Sequence, residues 1–458
     1  MNEARHRKIE EKIPEIVSKI KYNKINHGFP GKPDRIKINR VILDHIRENK
    51  RVVKGGKAHD FWLSKKGKKL YEEDFYGDYD FLSTDPIFDI TVICNKLYDL
   101  GYDDVFGTQG VRENVFTIKI YSETFCDIGF ISQEVLKNHI SYTTEDDIRY
   151  LDYKYLVFDM YFILSEPLDE YELYVPKTIK KLFLFEKYYP DIFQTKMKKL
   201  TTERKSDYDI LEMKEKLFRN YLINNKNILI SGNEAYNYYQ DLSKYSKKYF
   251  KPDQSEEFVI VVKNLKEETK NVINFLGKNN TSIEEYYSYI FKLDRSVLLK
   301  YKGNNLIRIY GSRQVCIQYN TIELDNSRDT IQIVSYNYLM GYLNCLAMFY
   351  NKKSSMRDKF FTMFHYLNSF RNEYLNTNKL IGYEEDNPFN YFQPDCLWEK
   401  RSQFLIRMLY FNERFKQGKP RKFEYRPANR YQKEIQIKFP YLNNSGELIK
   451  DERHKIIR

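Results

Sequence analysis

Asp78-Tyr79-Asp80-Phe81-Leu82 decides how the rest of the chain is read. The run alternates as a strand does, so the carboxylates of Asp78 and Asp80 converge on one face while Tyr79 turns away. Upstream, Val52-Val53-Lys54-Gly55-Gly56-Lys57 reads as a short strand, a glycine turn and the start of a helix. Glycines let backbone N–H groups approach a triphosphate, and the helix N-terminus adds a favourable dipole. The G-x-x-x-x-G-K-[ST] phosphate loop is missing. Downstream, Asp127 lies in the strand-like run Phe125 to Ile131. Magnesium takes oxygen ligands, and in-line displacement at phosphorus commonly uses two such ions ~3.5–4 Å apart. Two carboxylates on one strand and a third on its neighbour suit that chemistry. Each piece also has a blander reading: an exposed D-x-D pair, a plain glycine turn, a hydrogen-bonded loop aspartate. Their order favours the metal site: strand, Gly-Gly, helix, D-x-D strand, helix, hairpin, Asp.

Working outward, Arg35 to Asn49 carries Ile36, Val41, Ile42, His45 and Ile46 at helical spacing. Asp85 to Leu100 predicts a helix stopped by Gly101. Val115 to Tyr121 and Phe125 to Ile131 predict a hairpin about Ser122 and Glu123. Tyr150 to Leu164 reads as a helix, punctuated by Pro167 and followed by helix over Thr178 to Tyr188.

The same order then recurs. Ile228 to Asn233 resembles the strand and glycine turn, Phe258 to Val262 stands for the Asp78 strand, and Glu268 to Gly277 for the next helix. Leu306 to Tyr310 followed by Val315-Cys316-Ile317 parallels Phe116 to Tyr121 followed by Cys126-Asp127-Ile128. Ile331 to Tyr350, a Tyr-rich apolar helix, parallels Tyr150 to Leu164. On this alignment the second copy has lost its carboxylates, and Cys316 takes the place of Asp127. The expected fold is α/β: two tandem five-stranded mixed sheets packed by helices, the second copy degenerate. The expected division is a helical segment (1–50), a first domain (51–190), a second (191–350), a helical region (351–418, including Leu397 to Phe415) and a basic, irregular tail (419–458).

With 458 residues, 42% hydrophobic and 31% charged, the chain has material for two or three folded domains. No apolar run approaches the ~18 residues of a membrane span, and Met1 to Lys21 lacks a signal-peptide core. The five cysteines form no C-x-x-C pair, so reduced, buried thiols are expected. The seven histidines show no zinc-ligand spacing. A net charge of +12 favours an acidic partner, most commonly nucleic acid. Abundant Tyr, Lys, Asn and Ile with little Ala resembles translation of an AT-rich genome.

The series Gly55-Gly56, Asp78-Tyr79-Asp80, Asp127 resembles the nucleotidyltransferase superfamily of DNA polymerase beta. Lys54 to Ala58, Asp78 to Phe81, Tyr150-Leu151-Asp152 and Phe183 to Pro190 look closest to poly(A) polymerases of large cytoplasmic DNA viruses: poxviruses, asfarvirus and giant viruses. The resemblance covers about the first 190 residues, and a degenerate second copy also fits that family. It implies transfer of AMP from ATP to an RNA 3′ end by two-metal-ion catalysis. Asp78, Asp80 and Asp127 would be the catalytic metal ligands for Mg²⁺ or Mn²⁺, with Asp127 as base or only as ligand, and Lys54, Gly55, Gly56 and Lys57 would bind the nucleotide. Two departures stand out from the cellular enzymes. Their Gly-Ser turn is here Gly-Gly-Lys-Ala, and the stretch from Gly56 to Asp78 is longer, with a basic insert at Lys65, Lys66, Lys68 and Lys69.

RNA phosphates need neutralising cations. Candidates are Lys177, Lys180 and Lys181, the cluster with Lys198 and Lys199, and Arg421, Lys422 and Arg426 of the tail; each also fits a solvated charged face. A homodimer and a viral processivity or capping partner are further expectations, and no membrane association is expected. The place of work implied is the host cytoplasm, in the virus factory, with packaging in the virion as an addition. Two other readings stay open: a nucleotidyltransferase with another acceptor, such as tRNA or a small molecule, and a non-catalytic RNA-binding subunit.

Overall fold

The computed structural model describes residues 11–27, 30–71, 77–109, 115–165, 171–192, 208–243, 257–286, 296–312, 316–324, 328–350, 354–391, 396–398 and 423–429. The chain divides into two compact units, one within 1–132, 141–151 and 414–438, the other within 133–140, 152–413 and 439–458.

In the first unit the elements run α1 (Ile13–His27), α2 (Lys32–Glu48), β1 (Val52–Lys54), α3 (Gly55–Ser64), β2 (Tyr79–Ser83), α4 (Pro86–Asp99), β3 (Val105–Gln109), β4 (Val115–Ile120) and β5 (Glu123–Phe130). After α5 (Gln133–Asn138), which groups with the second unit, come β6 (Tyr142–Glu145) and β7 (Ile148–Leu151). Asp85 caps α4, its Oδ1 accepting from Phe88 N at 3.0 Å. Ile38, Ile42 and Ile46 of α2 and Ile90, Ile93 and Leu97 of α4 are fully buried or nearly so, as are Phe81, Phe116, Ile118 and Ile128 of the sheet. Alternation therefore commits one sheet face to the helices and leaves Asp80, Asp127 and Thr117 on the other. The strand order, with the late strand β16 (Glu424–Tyr425), is β16-β3-β4-β5-β2-β1-β7-β6.

The second unit continues with α6 (Tyr153–Ser165), α7 (Tyr171–Tyr188), α8 (Tyr208–Leu217), β8 (Ile228–Ser231), α9 (Gly232–Leu242), β9 (Phe258–Val262), α10 (Leu265–Leu276), β10 (Thr281–Tyr286), β11 (Ser296–Tyr301), β12 (Asn304–Gly311), β13 (Cys316–Glu323), β14 (Thr330–Val334), α11 (Tyr336–Phe349), α12 (Ser355–Asn378) and β15 (Cys396–Trp398). Its sheet order is β10-β11-β12-β9-β8-β14-β13-β15. Helix α6 belongs here because its aromatic residues pack on α11 and α12: Tyr161 meets Tyr336 and Phe364 edge-on, and the Phe162 ring lies over Gly341.

The two sheets repeat strand for strand. Leaving out the edge strands β16 and β15, β3-β4-β5-β2-β1-β7-β6 matches β10-β11-β12-β9-β8-β14-β13, with the same parallel and antiparallel pairings. The bulge between Ile118 and Lys119 recurs between Leu299 and Lys300.

Several expectations are corrected. Each sheet has eight strands, not five. Tyr150 and Leu151 belong to β7 rather than to the helix, because Asp146 and Asp147 adopt positive φ (50° and 61°) and turn β6 back into a hairpin. Residues 331–334 likewise belong to β14 rather than to α11, which starts only after its cap Ser335. Strand pairing makes β12, not the Cys316 strand, the counterpart of β5, since both pair in parallel with the strand after the glycine turn. The expected offset missed one strand, the polar Thr281–Tyr286. Cys316 and Cys396 form a disulfide, with Cα atoms 5.3 Å apart, because β15 pairs with β13; Cys94, Cys126 and Cys345 are buried and form no disulfide. Cys396–Trp398 is strand where a helix was expected, and the rest of Leu397 to Phe415 lies outside the described residues. Among the described residues no helix is long and apolar enough to cross a membrane.

Candidate active site

The carboxylates of Asp78, Asp80 and Asp127 gather at one point, each offering a ligand oxygen within 4.8 Å of the others. Strand register explains the meeting. Asp80 pairs with Lys54 of β1 on one side and, in parallel, with Asp127 of β5 on the other. Asp78 stands one residue before β2 and two before Asp80, at the sheet's open end. Thr117 of β4 lies opposite Asp127, and its hydroxyl donates to Asp127 Oδ1 at 2.7 Å. An all-oxygen set of three carboxylates is the donor set of a hard divalent cation. Among the described residues no other three His, Cys, Asp or Glu side chains converge in this way.

The glycine turn is built around the same carboxylates. Gly55 has φ +63°, which a residue with a side chain rarely adopts, and a Cβ there would collide with the Asp80 carboxylate. Gly55 is thus required twice, by its backbone and by its neighbour. A Cβ on Gly56 would meet the Tyr71 hydroxyl at 2.5 Å. The Lys54 side chain runs along the site face: a Cβ at Gly129 of β5 would stand 3.3 Å from its Cε and 3.7 Å from its Nζ.

Lys57 is placed differently. Its ammonium lies 5.3 Å from the Tyr79 ring centroid, on the helical side of the sheet. There it lines a cavity of about 440 Å³ with Asp60, Phe61, Ser64, Lys65, Tyr79 and Tyr150. Burial lowers the Lys57 amine, and Asp60 and Asp78 oppose that shift. Burial pushes the Tyr71 phenol up to about 12, and Asp78, Asp80 and Asp60 add to it.

Of the residues proposed for RNA, Lys177, Lys180 and Lys181 lie on α7 at positions i, i+3 and i+4, one helix face. Lys198, Lys199, Arg421 and Lys422 lie outside the described residues. Arg426 is engaged within its own unit, with Glu424 at 2.7 Å, Asp104 at 3.0 Å and the Phe106 ring at 4.4 Å. Sequence reasoning missed Thr117 and Tyr71. Thr117 could have been found from the hairpin register opposite Asp127. Nothing in the sequence pointed to Tyr71, whose return to the turn depends on the fold of the insert.

The second sheet carries a different set at the same points. Lys54, Asp80, Asp127 and Thr117 correspond by register to Ser231, Val259, Arg308 and Leu298. Gly232 repeats Gly55, with φ +66° and Val259 beneath it. Glu257, two residues before Val259, corresponds to Asp78; it accepts from Arg308 Nε at 2.5 Å and from Asn305 Nδ2 at 3.0 Å. The expectation that this copy lost every carboxylate is corrected: one acid remains, neutralised by an arginine where the first copy has Asp127.

Comparison with known proteins agrees with this architecture. Residues 40–170 match the family described as "Poly(A) polymerase catalytic subunit", and residues 185–451 match "APMV, Putative poly(A) polymerase, catalytic subunit, C-terminal". A "Putative poly(A) polymerase catalytic subunit" of Acanthamoeba polyphaga mimivirus is 26% identical over 480 residues, covering 96% of this chain and 82% of the relative. The crystal structure of the Megavirus polyadenylate synthase superposes with a TM-score of 0.80 at 22% identity, covering 98% of this chain and 93% of that one, and so shares the fold.

Proposed function

Because the chain belongs to the poly(A) polymerase catalytic-subunit family, and is therefore a nucleotidyltransferase that adds AMP from ATP to RNA, we propose that Asp78, Asp80 and Asp127 are its catalytic centre. The observation that carries this is the convergence of the three carboxylates within 4.8 Å beside a glycine turn. Their oxygens fit a divalent ion, Mg²⁺ or Mn²⁺, which when bound neutralises triphosphate charge and acidifies the attacking 3′ hydroxyl. Thr117 fixes the rotation of the Asp127 carboxylate, which would help hold the ion or take the proton of the 3′ hydroxyl. The Gly55-Gly56 turn and the first N–H groups of α3 receive the triphosphate. Lys54, beside Asp80, adds positive charge on the same face. Lys177, Lys180 and Lys181 neutralise RNA phosphates.

The enzyme is further proposed to work as a homodimer in the host cytoplasm, alone or beside a viral processivity or capping partner. Light scattering on the purified protein reads the dimer directly. The function itself is tested by offering labelled ATP, CTP, GTP and UTP in turn, with Mg²⁺ or Mn²⁺ and a short RNA primer. ATP alone should extend the primer; extension with none of the four, or onto a non-RNA acceptor only, rejects the reading.

A further inference from the structure

The turn that receives the triphosphate in the proposed reaction has no side chain at residue 56, yet a hydroxyl stands where that side chain would be. The Tyr71 Oη lies 2.5 Å from the position of an ideal Cβ on Gly56, and the ring carbons Cζ and Cε2 lie at 3.4 and 3.5 Å. The insert after α3 brings it there. The chain turns over Lys65, Lys66 and Gly67 and returns along the helix, where Asp60 Oδ1 accepts from Leu70 N at 2.7 Å and Tyr71 N at 3.4 Å. The anchor is a carboxylate of α3 itself, so the phenol is tied to the helix whose N-terminus forms the turn. Gly56, unlike Gly55, does not have a positive φ, so its backbone does not demand glycine. What excludes a side chain there is Tyr71.

We infer that Tyr71 supplies, from the insert, the hydroxyl that residue 56 lacks, and that this hydroxyl donates a hydrogen bond to the triphosphate of the bound nucleotide. The inference rests on the proposed nucleotide site and adds a residue to it. A phenol is a neutral donor at neutral pH, and beside three carboxylates it provides a contact for an anionic phosphate oxygen without a further negative charge. It also explains why an insert of this length is compatible with a Gly-Gly turn: the glycine leaves the space and the insert fills it.

The test exchanges the hydroxyl between the two positions in the full-length protein. Binding of Mg²⁺–ATP is read by titration calorimetry, and KM for ATP, KM for primer and kcat by primer extension. Tyr71→Phe should weaken ATP binding about tenfold and leave the KM for primer unchanged. Gly56→Ser alone should also weaken ATP binding, because its Cβ displaces Tyr71. The double variant Tyr71→Phe with Gly56→Ser should return to within about threefold of wild type, since the ring carbons leave room for a Cβ. Tyr71→Phe with Gly56→Ala carries the same Cβ without a hydroxyl and should show no recovery. Unchanged ATP affinity in Tyr71→Phe overturns the inference, and so does equal behaviour of the serine and alanine doubles, which would make Tyr71 a packing residue. Melting curves on all four variants separate loss of fold from loss of binding. A wild-type protein that binds ATP but extends no RNA would count against the proposed acceptor and not against Tyr71.

Discussion

Glu257 and Arg308 form an ion pair at 2.5 Å at the two positions of the second sheet that correspond to Asp78 and Asp127 of the first. Their side chains are only 19% and 12% exposed, and Arg308 also covers the Tyr286 ring at 4.7 Å. Where the first copy gathers three carboxylates, the second pairs its remaining acid with its own arginine. Removing one member of such a pair strands a buried charge. Arg308→Met should therefore cost about 3 kcal/mol of stability, measured by denaturant unfolding, while Glu257→Gln with Arg308→Met should recover most of it. Purely additive losses in the double variant would contradict a coupled pair.

The glycine turn gives a matched comparison. Gly55 and Gly101 both have positive φ, +63° and +95°, but only Gly55 faces a carboxylate; around Gly101 a Cβ meets open space. Gly101→Ala should cost about 1 kcal/mol of backbone strain and leave RNA extension intact. Gly55→Ala should bear the same strain and also displace Asp80, reducing extension at least about a hundredfold. Comparable activity in the two variants would remove the reason given for Gly55.

Thr117 acts on Asp127 through one hydrogen bond of 2.7 Å. Thr117→Val keeps the shape and removes the donor. Groups that orient metal ligands typically contribute 10–100-fold, so kcat should fall by about tenfold, with a raised requirement for Mg²⁺. A metal titration of the variant that overlays the wild type would exclude this role.

His365 on α12 gives a pH dependence unrelated to catalysis. Burial holds its imidazole down to about 4, with the nearby Lys154 adding to the effect. The unfolded chain takes up a proton near 6.5 and the folded chain only near 4, so the neutral form's contribution is intact above about 6.5 and lost as pH falls towards 4. His365→Gln should flatten the fall in melting temperature between pH 7 and 4.5, by the equivalent of about 2–3 kcal/mol. Parallel curves for the two proteins would show that His365 does not titrate as described.

Much of the site was legible because it depends on local periodicity. Asp78 and Asp80 share a face by strand alternation, and Gly55-Gly56 marks its turn without any tertiary knowledge. Asp127 was legible only with the hairpin and the family pattern together. What stayed hidden depends on contacts distant in sequence. The β6–β7 hairpin turns on Asp146 and Asp147, residues not usually read as a positive-φ pair, and its Tyr150-Leu151 end merges with the apolar pattern of α6. The repeat was visible, but its register was not, because Thr281-Ser282-Ile283-Glu284-Glu285-Tyr286 looks too polar for a strand. It lies at the edge of its sheet, with Ile283 half exposed, which is where a strand can afford polar residues. The Cys316–Cys396 pairing likewise depends on β15 reaching β13 across a separation of 80 residues.

The central claim is that Asp78, Asp80 and Asp127 hold the metal that activates transfer from ATP. Crystals grown with Mn²⁺ and a non-hydrolysable ATP analogue, measured at a wavelength where manganese scatters anomalously, test it most directly. An anomalous peak should lie at these three carboxylates, with the triphosphate beside the Gly55-Gly56 turn. Manganese bound with the nucleotide elsewhere on the chain, with these aspartates unligated, would contradict it.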